Sequence, residues 1–112
     1  MTVTVAVLIP AKTAEAAQTT QYTSTGVTTI IDKFTATNYS ASVATISVNL
    51  VTNAGSAGND NLIVKTKALQ AGETYTFPEI VGAALASGGF ISTAASTGSA
   101  INIRASGRQI TQ

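Results

Sequence analysis

Glu73 and Glu79 are the side chains whose type and spacing come nearest to chemistry. Two carboxylates can share the work of a glycosidase, one as acid and the other as base or nucleophile. These two flank a stretch of five residues, so their separation depends on how that stretch folds. Glycosidase sites also use aromatic platforms for sugar rings, and this chain has three Tyr, three Phe and no Trp. The competing reading is structural, with Glu73 serving a turn and Glu79 favoured at a helix start by the helix dipole. No Cys and no His are present, which removes thiolate nucleophiles, disulfides, imidazole acid–base chemistry and nearly every zinc site. Gly58-Asn59-Asp60-Asn61 offers oxygen ligands to a hard cation, but not at EF-hand spacing, and reads as a surface turn. The residues thus name no catalytic set, no metal site and no cofactor. The expectation is a non-enzymatic protein with no small-molecule substrate.

The remaining charges point to contacts rather than reactions. Arg104 and Arg108 stand near the C-terminus, and arginine both pairs with carboxylates and is enriched at protein interfaces. For Arg104 a salt bridge within the domain is expected, to Glu73 or Glu79. For Arg108 that reading and a partner contact both stand. Asp32-Lys33 interrupts a strand-like segment, and because Asp is disfavoured in strands it marks a bulge, an edge or an interface charge. Charged residues make up only 10% of the chain, against about 25% in an average soluble protein. A surface of Thr, Ser, Asn and small apolar groups costs little to desolvate against a partner. The net charge is +1, with six Lys and Arg scattered along the chain. Nothing clusters as a nucleic-acid contact would require. No window reaches the roughly 18 apolar residues of a membrane helix. The apolar N-terminus lacks the positive flank of a signal peptide and alternates like a strand.

These residues must be positioned by β structure. Val3, Val5, Val7 and Ile9 alternate with Thr2, Thr4 and Ala6, which predicts a strand with the four aliphatic side chains on one face. Residues 11–18 lean towards helix without an apolar stripe and read as a linker or extended arm. Strand signals then recur over 21–25, 27–39, 43–51, 62–69, 73–77, 90–95 and 101–106. The segments 27–39 and 43–51 read as one hairpin, and 90–95 with 101–106 as another. Pro78 opens a candidate helical turn over 79–85, and residues 107–112 read as a tail. The expected architecture is an all-β, antiparallel β-sandwich, jelly-roll or Ig-like, with about seven to eight strands. Its expected core holds Phe34, Ile46, Val48, Leu50 and Ile103. Residues 1–18 form an N-terminal strand or arm, and residues 19–112 form the sandwich domain.

Several segments carry a resemblance. They are Ile31-Asp32-Lys33-Phe34, Asn61-Leu62-Ile63, Leu69-Gln70-Ala71-Gly72-Glu73-Thr74-Tyr75, Pro78-Glu79-Ile80-Val81-Gly82, Leu85, Gly88-Gly89-Phe90-Ile91, and Ile103-Arg104-Ala105-Ser106-Gly107-Arg108-Gln109-Ile110. Together the chain resembles a family of short virion structural proteins of tailed bacteriophages and prophages, over most of residues 20–111. The resemblance implies a virion protein made in the bacterial host cytoplasm, and a capsid decoration or cement protein is the leading expectation for its place there. Its partners would be the major capsid protein or another virion protein, and copies of itself. A tail, collar or head-fibre component is the alternative. No catalytic residue comes with the resemblance. The interface candidates are Val3, Val5, Val7 and Ile9, on an arm able to pair within its own domain or with a neighbour's sheet edge, together with Arg108.

Overall fold

Alternating apolar and hydroxyl residues fold into nine strands in the computed structural model, which describes residues 1–111. The strands are β1 (Thr2–Thr13), β2 (Thr19–Thr23), β3 (Thr28–Asn38), β4 (Ala44–Val51), β5 (Leu62–Leu69), β6 (Thr74–Tyr75), β7 (Ala84–Leu85), β8 (Phe90–Ala95) and β9 (Ile101–Thr111). The first sheet has the order β1-β9-β3-β6, with β7 also pairing β3, and the second has the order β2-β8-β4-β5. Every pairing is antiparallel.

The pairs are nested. β4 pairs with β5, β3 with β6 and β7, β2 with β8, and β1 with β9. The chain therefore runs as one long antiparallel ribbon folded at residues 52–61. Closing β9 on β3 and β8 on β4 rolls that ribbon into two facing sheets. Counting β6 and β7 as one interrupted strand, this is a jelly roll.

Both segment pairs read as hairpins are instead joined by crossings between the sheets. β3 and β8 each presents an apolar face, and so do β4 and β9. Placing the members of each pair in opposite sheets lets all four faces meet in one core. The connection after β3 is held by Asn38, which is fully buried. Its Nδ2 donates to the carbonyls of Ser42 (2.8 Å) and Leu69 (2.9 Å), and its Oδ1 accepts from the Ser40 amide (2.9 Å). No glycine is available in 39–43 to make a two-residue turn.

Phe34, Ile46, Val48 and Ile103 are buried as expected, joined by Phe77, Ile31 and Ile80. Phe34 and Phe77 meet edge to face at 4.7 Å. Leu50 is only partly buried and packs against the core from its margin. Asn49 is buried because residues 56–61 fold over the outer side of β4. Its Nδ2 donates to the Gly58 carbonyl (2.9 Å) and to Asn61 Oδ1 (2.7 Å). The helix expected after Pro78 is a single turn, closed by the Ile80 and Val81 amides on the Phe77 carbonyl. The expected tail continues β9 to Thr111.

Candidate functional site

The N-terminal segment lies along β9 within its own chain, from Thr2 opposite Thr111 to Thr13 opposite Asn102. Leu8, Ile9 and Ala14 are part of the common core, so residues 1–18 and 19–111 share one packing unit. The ladder is unbroken from Thr2 to Val7, then shifts between Val7 and Ile9. One extra residue reverses which face the following side chains occupy. Val7 lies opposite Ser106 and Ile9 opposite Ala105. Ile9 therefore turns into the core with no exposed surface, while Val3, Val5 and Val7 stay outside at 50%, 82% and 53% exposure. Of the four aliphatic residues expected on one face, three share it, and Ile9 has no surface to offer a partner while β1 holds this place.

A second shift lies at the same level across β9. Ile31 is opposite Gly107 and Lys33 opposite Ser106, leaving Asp32 as the extra residue of a bulge. Between these two irregularities β9 approaches closely. A Cβ on Gly107 would overlap the Ile30 carbonyl oxygen and come within 3.0 Å of Leu8 Cδ1. Glycine is required there by space.

The register assembles an outer face from three rows: Val3 beside Ile110 and Thr28, Val5 beside Arg108 and Ile30, Val7 beside Ser106 and Lys33. Asp32 extends over this face to Arg108, with Nη2 to Oδ1 at 2.8 Å and Nε to Oδ2 at 2.9 Å. The carboxylate bonds hold the guanidinium's pKa above its ordinary value. Arg108 is thus paired within the domain and remains exposed beside Val5. Its partner is Asp32, not either glutamate. Arg104 lies further along the face, opposite Thr35, and makes no salt bridge among the described residues.

The inner side of the same region is polar. Gln109 Nε2 donates to Tyr22 Oη (2.9 Å), which bonds Thr29 Oγ1 (2.7 Å), and Ser24 bonds the same threonine (2.9 Å). This chain of hydroxyls ties β2 to β3 and β9, replacing apolar packing where the sandwich opens. It was not foreseen, because isolated Thr, Ser and Gln in strands look alike whether buried or exposed. The reversal at Leu8 did have a signal: Val7-Leu8-Ile9 breaks the alternation that precedes it.

Each glutamate is held by a local hydrogen bond. Glu73 Oε1 accepts the Gln70 amide at 2.7 Å and closes a turn. Glu79 Oε2 accepts the Tyr75 hydroxyl at 2.5 Å, which lowers its pKa, opposite to the elevation a general acid needs. The tyrosine in turn is held above its ordinary value by the same bond. Asn61 Oδ1 accepts from the Gly58 backbone amide and from Asn49 Nδ2, and Asn61 Nδ2 donates to the Ser56 carbonyl, so Asn61 braces its own loop. No group of three or more Asp or Glu side chains able to hold a metal occurs among the described residues. An apolar recess of about 300 Å³ between Leu50, Val51, Leu85 and Ala86 has no ionisable residue in its lining. Compared with known proteins, the chain matches no protein-family model, no curated sequence and no solved structure.

Proposed function

We propose that the protein is a non-enzymatic structural component of a bacteriophage particle, in its most specific form a capsid decoration protein bound to the outer shell. The observation that carries this reading is the exposed row of Val3, Val5 and Val7 on a regularly paired strand. Covering what those side chains still expose is worth about 3–5 kcal/mol before association costs. A small net gain per copy, repeated over a symmetric shell, accumulates through multivalency. The low charge of the chain keeps the desolvation cost of such contacts small. The jelly roll agrees, since it recurs in viral capsid domains, though also in lectins and cupins; this is support by analogy of fold. The phage setting rests on the resemblance noted over most of residues 20–111.

The test is the number of copies of this chain per purified particle, by quantitative mass spectrometry. Hundreds of copies are expected for shell decoration. A few copies to a few dozen would move the protein to the tail or collar, and none would overturn the virion reading.

A further inference from the structure

Four strand edges close the two sheets, and three of them carry devices that discourage pairing with another chain. β5 has Lys65 and Lys67, and a register shift at Thr66, whose φ of +44° bends the strand. β6 and β7 are two residues each. β2 is five residues long and broken by a shift between Thr20 and Tyr22. Short length, lysine, proline and bulges are the recognised protections of an edge. β1 has them only in its second half: the shift at Leu8, Pro10, a further shift before Lys12, and Lys12 itself. Thr2–Val7 has no charge, no proline and no irregularity along six residues.

From this contrast we infer that the Thr2–Val7 edge pairs with the same edge of a second copy, antiparallel about a two-fold axis at Val5. This deepens the assembly role proposed above and rests on it. The segment is complementary to itself. With Val5 opposite its counterpart, Val3 lies opposite Val7 and Thr4 opposite Ala6, so valine meets valine on the outer face. A two-fold contact sets each residue against its own surface, and an uncharged segment does so without like-charge repulsion. The result joins β3-β9-β1 of each copy into one continuous sheet, its outer face crossed by six valines. The Leu8 shift ends the pairing on both sides.

Size sets the strength. The five residues paired in this register, Val3–Val7, at about 3.4 Å each make a contact roughly 17 Å long. With a height of about 10 Å, the two partners together bury roughly 350 Å², below the ~1,200 Å² of a specific stable complex. The isolated dimer is therefore weak, and the contact becomes persistent where copies are held side by side.

Cysteine cross-linking reads the register, because the natural chain has no Cys. Directly opposite residues have Cα atoms about 4.5–5.5 Å apart, within disulfide range. In this arrangement Val3 and its counterpart are about 14 Å apart along the strands. Under mild oxidant, Val5→Cys alone should give covalent dimer, and Val3→Cys or Val7→Cys alone should not. A mixture of Val3→Cys and Val7→Cys should cross-link to each other. Val81→Cys, on the exposed turn after β6, serves as the control for random collision. Sedimentation of the wild type beside Val5→Lys, with the fold checked by circular dichroism, should show self-association weakened at least tenfold by the lysine. Cross-linking at Val3 equal to that at Val5, or at Val5 no better than at Val81, overturns the inference. If the chain is abundant in particles while Val5→Cys fails, the second-copy pairing is wrong and the assembly role stands. If Val5→Cys dimerises but particles lack the chain, the pairing stands and the virion role falls.

Discussion

Replacing Gly107 by alanine should destabilise the domain by about 3 kcal/mol, the upper end of what overpacking costs. The new Cβ would overlap the Ile30 carbonyl oxygen and lie 3.1 Å from the Ile30 carbonyl carbon, with Leu8 Cδ1 at 3.0 Å. Backbone in the middle of a three-strand ladder cannot rotate away as a side chain can, so β3 must shift or the paired bulges must open. Two other glycines separate the causes. A Cβ on Gly98 meets nothing closer than Ala16 at 3.8 Å, and Gly98→Ala should be nearly neutral. Gly72 has open space but a φ of +79°, so Gly72→Ala should cost about 1–2 kcal/mol from conformation alone. Urea unfolding with a slope of about 1.5 kcal/mol per molar converts these into midpoint losses of about 2 M for Gly107→Ala and about 1 M for Gly72→Ala. Gly98→Ala should show almost none. A Gly107→Ala midpoint within about 0.3 M of the wild type would refute the close approach, and with it the double bulge that turns Val3, Val5 and Val7 outward.

Ile9→Ala should cost about 2–5 kcal/mol as a core truncation, whereas Val5→Ala should change unfolding by less than about 0.5 kcal/mol; equal losses would place both on one face. Phe34→Ala, which empties the edge-to-face contact with Phe77, should cost about 3–5 kcal/mol in the same assay. Asn38→Ala takes a donor from the buried Leu69 carbonyl and the acceptor from the Ser40 amide and should cost about 1–3 kcal/mol, with backbone amides near the β3–β4 crossing exchanging faster by NMR. Glu15, bonded by Gln21 and Lys12, and Glu79, bonded by Tyr75, both have lowered carboxylate pKa values. Their contributions are therefore present above the ordinary value of 4.5 and fade as pH falls through the lowered ones; the acid-side loss of melting temperature should shrink in the double variant Glu15→Gln/Glu79→Gln.

Alternation was legible wherever a strand is regular and one face is buried. It located Ile46, Val48, Phe34 and Ile103, and β5 and β8 to the residue, because the period of two is imposed directly by the pleat. Sandwich architecture followed from the number and spacing of the strands. What was not legible is which strands pair. Segments 27–39 and 43–51 are adjacent in sequence and both amphipathic, and such a pair closes as a hairpin or crosses between sheets according to a buried Asn38 that looks like any turn asparagine. The candidate site was half legible. Val3, Val5 and Val7 stood out by period, and Asp32 marked its bulge by being out of place in a strand. The loss of Ile9 to the core depends on one inserted residue, and the pairing of Arg108 with Asp32 joins residues far apart in sequence that only the β3–β9 register brings together.

Competition for particles lacking this chain tests the binding surface most directly. Wild type and Val5→Lys, mixed at equal concentration, would be added to such particles and the bound ratio measured by mass spectrometry. Burial of the β1 face predicts at least about a tenfold excess of wild type, equivalent to about 1.4 kcal/mol. A bound ratio near one, with both proteins folded, would contradict it.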